Sequence, residues 1–144
     1  PAFENLQDLS VYLNANRSKT QILPNRQTMV GALDTLVGRS STMTSLHITT
    51  AGSATVFLPH SQDDRLYASW ARFLASVRNS LCDLFFEQGE GRYPNPPLYS
   101  SFDSHNQTKL EVRPMDRHFI QWILPVLLDA PWPRMKRMEI RGVG

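Results

Sequence analysis

Any chemistry in this chain would have to come from four histidines, His47, His60, His105 and His118, and from the serines and aspartates near them. Nucleophilic catalysis needs a nucleophile against a base, and that base held by a third group. Only Asp103-Ser104-His105 brings the three residue types together. Adjacency along the chain does not produce triad geometry, because successive side chains diverge. The sequence contains no Gly-x-Ser-x-Gly elbow, no glycine-rich phosphate loop and no His-x-x-x-His or Cys-x-x-Cys spacing. His118 opens an apolar helix and reads as a structural histidine. Cys82 lies between two apolar strand positions without a basic neighbour to activate its thiol. The expectation is a protein that is not an enzyme and has no cofactor and no metal. The alternative is a small α/β hydrolase or transferase with its site in the 88–108 loop, where His105 is the residue to test.

The elements that would position these residues follow from periodicity. Asp63 and Asp64 open a helix whose Leu66, Trp70, Phe73, Leu74 and Val77 share one face. Thr28 is placed to cap a shorter helix carrying Met29, Leu33, Leu36 and Val37, with Gly38 as its stop. Pro114 suits the first turn of a third helix, which carries Phe119, Ile120, Ile123, Leu124, Leu127 and Leu128. Pro125 lies inside that run and predicts a kink or an opened turn. Trp70, Trp122 and Trp132 read as core. Residues 88–108, with two glycines and three prolines, predict an irregular loop. Val56-Phe57-Leu58 reads as a loop tucked under the core, and 109–113 as a short extended piece.

Composition bounds the rest. The 144 residues suit one domain, with 41% apolar and 19% charged residues, an ordinary globular balance. A formal charge of +2 is near neutrality. Arg134, Lys136, Arg137 and Arg141 form the one basic cluster, which reads as a solvated rim, so no nucleic-acid partner is expected. A single cysteine excludes an internal disulfide framework and fits a reducing compartment. The sequons at Asn16 and Asn106 occur at chance frequency. No run approaches the roughly 20 apolar residues of a membrane helix. An intracellular protein, cytoplasmic or nuclear and with no membrane partner, is therefore expected. Opening on Pro1 without an initiator Met, and stopping just past a strand, suggests a piece of a longer protein.

A leucine-x-x-leucine-x-apolar strand recurs four times: Leu6-Leu9-Val11, Met43-Leu46-Ile48, Leu81-Leu84-Phe86 and Met135-Met138-Ile140. One amphipathic helix separates each pair. Strand, helix and parallel strand form a right-handed crossover, and stacked units bury what no unit buries alone. This pattern resembles the leucine-rich repeat family. The run from Phe119 to Val143, with Arg-Pro-Met-Asp-Arg ahead and Trp-Pro-x-Met-x-x-Met-x-Ile within it, resembles the degenerate repeat region of fungal F-box proteins. The units are longer than the usual twenty to twenty-nine residues and lack the asparagine after the strand. The resemblance implies one α/β domain over 1–144, a right-handed solenoid fragment with units starting near 6, 43, 81 and 135. It implies a four-stranded parallel sheet on the concave side and helices on the convex side.

Residues alternating with the buried ones would line the concave face in three columns. These are Asp8, Ser45, Asp83 and Arg137; Ser10, His47, Phe85 and Glu139; and Tyr12, Thr49, Glu87 and Arg141. Aromatics flanked by charge are the composition of a protein-binding patch. The expected partner-binding residues are Asp8, Tyr12, His47, Phe85, Glu87, Glu139 and Arg141, acting in a substrate-recognition region for a ubiquitin ligase. A ligase adaptor would bind only if an F-box lies outside this stretch.

Overall fold

Four strands lie side by side in chain order: β1 (Asp8–Leu13), β2 (Ser45–Ala51), β3 (Asp83–Gly89) and β4 (Arg137–Arg141). Every neighbouring pair is parallel. The computed structural model describes residues 5–13, 24–51, 61–89 and 114–143. Between the strands run α1 (Pro24–Leu36), α2 (Ser61–Val77) and a third helical stretch. That stretch is α3 (Pro114–His118), a π turn (Phe119–Ile123) and α4 (Leu124–Asp129). The protein is an α/β fold on a four-stranded parallel sheet.

The recurring motif spans more than the strand. Met43 and Leu81, its first apolar residues in the second and third units, are fully buried in the turn that leads into each strand. The strands therefore begin two residues later than the apolar motif predicts. The same backbone rung fixes each turn. Gln7 O accepts the amides of Thr44 (2.8 Å) and Ser45 (3.0 Å), and Thr44 O accepts those of Cys82 (2.8 Å) and Asp83 (3.0 Å). Cys82 O accepts those of Lys136 (2.7 Å) and Arg137 (3.1 Å). A register slip of one residue would turn every strand inside out, and these paired bonds hold the register at its start.

The core lies between the sheet and α2. Leu66, Tyr67, Trp70, Phe73 and Leu74 are fully buried and cluster with Val11, Leu46, Ile48, Leu84 and Phe86. Phe86 is the junction: its ring centroid lies 6.3 Å from Tyr67 and 5.5 Å from Phe119. The predicted face of α2 is fully inside, and Tyr67 and Ala71 widen it. That breadth follows from α2 packing against both α1 and the π turn.

One expectation about the helices needs correction. The first helix starts at Pro24, so Thr28 lies within it and is not its cap; Pro24 fits because a first-turn residue needs no amide donor. Gly38 ends it as expected, at φ 72°. Around Pro125, accommodation takes the form of the π turn, in which the Leu124 amide reaches Phe119 O. The extra residue lets the chain pass the missing proline amide without breaking the helical stretch. Ile120 and Leu128, which belong to the same apolar run, are 50% and 75% exposed. Residues 52–60 and 90–113, with the readings made for Val56–Leu58 and 109–113, lie outside the described residues.

Candidate functional site on the sheet face opposite the helices

Strand alternation sends residues 9, 11, 46, 48, 84 and 86 toward the helices and their neighbours to the other side. The three columns expected from sequence form as expected. Asp8 pairs in register with Ser45, Ser45 with Asp83, and Asp83 with Arg137. Ser10, His47, Phe85 and Glu139 make the second column, and Tyr12, Thr49, Glu87 and Arg141 the third. All seven candidate residues therefore share one face. Asp8, Tyr12 and Arg141 are exposed; His47, Phe85, Glu87 and Glu139 are half-buried.

Their side chains make a continuous row across all four strands. The Tyr12 and His47 rings lie 5.4 Å apart, and His47 meets Phe85 edge-on at 4.2 Å. The Arg141 guanidinium stands 5.2 Å from the Phe85 centroid. Its Nε donates to Glu139 Oε1 at 2.6 Å, and its Nη2 pairs with the same oxygen. This fixes the cation over the aromatic face, where the ring quadrupole attracts it. Thr49 Oγ1 lies 3.4 Å from His47 Nε2. Arg137 Nε is 3.1 Å from Asp83 Oδ1. Two of the four clustered basic residues are thus ion-paired within this face.

A second polar group is buried beyond the C-terminal end of β3. Tyr67 donates its hydroxyl to Gln88 Oε1 (2.8 Å), and Gln88 Nε2 donates to Asp116 Oδ1 (2.8 Å). Trp122 Nε1 donates to Asp64 Oδ1 (2.6 Å), and His118 Nδ1 lies 3.4 Å from the same oxygen. Gln88, Asp116 and His118 are all buried. The groups face one another, so the arrangement clasps the end of β3 to the starts of α2 and α3. His118 is thus enclosed in this group, its ring 5.6 Å from that of Tyr67.

The sequence reading missed this clasp by assigning Gln88 to the irregular loop, whereas β3 continues to Gly89. One signal was available: position 88 continues the helix-facing alternation of Leu84 and Phe86, where a polar residue needs a buried partner. Close packing secures the same corner, since a Cβ added at Gly142 (φ 73°) would overlap the Gln88 carbonyl.

Cys82 is half-buried, with its thiol 3.6 Å from Ser80 O. Trp70 is core, while Trp122 and Trp132 are half-buried, and Trp132 Nε1 donates to Leu127 O at 3.1 Å. His60, His105, Asp103 and Ser104 lie outside the described residues, as does the alternative hydrolase site apart from Gln88 and Gly89. Among the described residues no cluster of three potential metal ligands occurs, and no helix is long and apolar enough to cross a membrane. No protein-family model matches this sequence, and neither a curated protein nor a solved structure shows significant similarity to it.

Proposed function

We propose that this chain is a non-catalytic scaffold that recognises a protein partner on the sheet face opposite its helices. The observation that carries this reading is the unbroken row Tyr12–His47–Phe85–Arg141, bordered by Asp8, Glu87 and Glu139. Parallel sheets are ordinarily covered on both faces. A face that no described element covers, bearing aromatics braced by an arginine, fits an interaction surface better than a solvated one. Read as a leucine-rich-repeat-type unit, that face corresponds to the family's concave side, although the four described strands form a sheet that is not curled. The repeated lead-in rungs at Gln7, Thr44 and Cys82 support equivalent units.

The mechanism is passive. Backbone ladders hold the side chains rigid, so little ordering entropy is lost on binding. Affinity comes from covering Tyr12 and Phe85, and the surrounding charges select the partner. In the setting of an F-box-type receptor, the partner is a substrate of a ubiquitin ligase, and a ligase adaptor would bind only if an F-box lies outside residues 1–144. The test is quantitative capture of partners by wild-type protein and by folded variants. Combined reversal of Glu87 and Arg141 (Glu87→Lys with Arg141→Glu) should abolish capture. Phe85→Ala should weaken it about 30-fold, a hot-spot loss of about 2 kcal/mol. A partner that both variants hold as tightly as wild type would rule this face out.

A further inference from the structure

Among the described residues, five large apolar side chains are exposed, three on the two outer strands and two in a helical stretch. Tyr12 (63%) is on β1, Met138 (38%) and Ile140 (37%) are on β4, and Ile120 and Leu128 lie in the helical stretch that leads into β4. Met138 and Ile140 occupy helix-facing positions in register with Leu84 and Phe86, which are buried. The last strand thus repeats the apolar pattern of its neighbours without their cover. Neither the outer edge of β4 nor that of β1 has a strand partner among the described residues. An open strand edge is a template for another strand unless its side chains forbid it.

We propose that the β4 edge of one copy pairs in parallel, head to tail, with the β1 edge of a second copy. Charge complementarity selects this occupant. Continuing the observed register by one step sets Arg137 opposite Asp8, Met138 opposite Leu9, Glu139 opposite Ser10, Ile140 opposite Val11 and Arg141 opposite Tyr12. Two of these pairings, Arg137 with Asp8 and Arg141 with Tyr12, extend chemistry already present between β3 and β4, where Arg137 pairs with Asp83 and Arg141 stands over Phe85. The backbone continues as well. Lys136 O holds the place taken in earlier units by Gln7 O, Thr44 O and Cys82 O, and would accept the amides of Gln7 and Asp8 from the second copy.

The charges on β4 discourage indiscriminate pairing, and here they match one strand of the same chain. Such a contact is heterologous and does not close on itself, so it yields an open series rather than a discrete dimer.

Sedimentation of the purified protein alone, across about micromolar to millimolar concentration, tests this without any partner. A concentration-dependent ladder of oligomers is expected. Asp8→Arg and Arg137→Asp should each weaken association about tenfold by setting like charges opposite one another. An equimolar mixture of the two should recover it, because each variant's β1 then faces an oppositely charged β4. Asp8 is exposed, so its substitution leaves the fold intact, and circular dichroism checks the Arg137 variant. A monomer at every concentration would overturn the proposal and leave the edge to a different occupant, such as another protein or a further unit of a longer chain. Oligomers that survive both substitutions, or variants whose mixture shows no recovery, would also overturn it.

Discussion

Phe85 and Phe86 follow one another in β3, and the pleat sends them to opposite faces of the same sheet. Phe86 is fully buried, between Tyr67 and Phe119. Phe85 is half-buried, between the edge of His47 and the guanidinium of Arg141. One phenylalanine is held by close packing among apolar neighbours and the other by a histidine and an ion-paired arginine. The contrast extends over the whole sheet. The helix side has nearly uniform chemistry and no tolerance for a change of shape. The other side has varied chemistry and room to meet something else. A residue's place in the alternation therefore says what it does for this protein more reliably than its type does.

Substitution can break that contrast. Phe86→Ala should cost about 3–5 kcal/mol of unfolding free energy, because a buried aromatic leaves a cavity that its neighbours only partly fill. Phe85→Ala should cost about 1 kcal/mol or less, the range of a surface substitution with one ring contact. Denaturant titration of both reads the difference directly, and equal losses would mean that both faces are core.

The clasp gives the next effect. Tyr67→Phe keeps the ring against Phe86 and removes only the donor to Gln88, leaving the amide oxygen buried and unsatisfied. A loss of about 1–3 kcal/mol is expected. Hydrogen exchange should accelerate first at the C-terminal end of β3, where Gln88 ties to Asp116.

The smallest effect falls on the face opposite the helices. Arg141→Met removes the cation over Phe85 and the pair with Glu139, yet the arginine is exposed and the glutamate only half-buried. The expected loss is about 0.5–1 kcal/mol or less, and added salt should shrink it further. A larger loss in thermal unfolding would show that the row across the four strands supports the fold itself.

How much could be read beforehand differs between the two faces. All seven candidate residues were legible, because a two-residue alternation anchored on Leu9, Leu46, Leu84 and Met138 assigns each neighbour to the opposite face. The register between strands was legible too, since each unit repeats the same apolar spacing. The first apolar residue of each motif misled about strand starts, because burial in a turn and burial in a strand demand the same residue type. Gln88 was illegible as a clasp residue because its partners, Tyr67 and Asp116, come from two different helices.

By itself the sequence determined that four strands would align in parallel with helices between them, and which side chains would face away from those helices. The reason is local: periods of two and of about 3.6 are written into neighbouring residues, and each decides only a direction. What the tertiary structure alone decided is which of those directions ends in cover. Met138 and Ile140 carry the same signal as Leu84 and Phe86, yet they stand open at the edge of the sheet. Burial depends on what packs against a face, and for the last strand of a row that is a property of position in the fold.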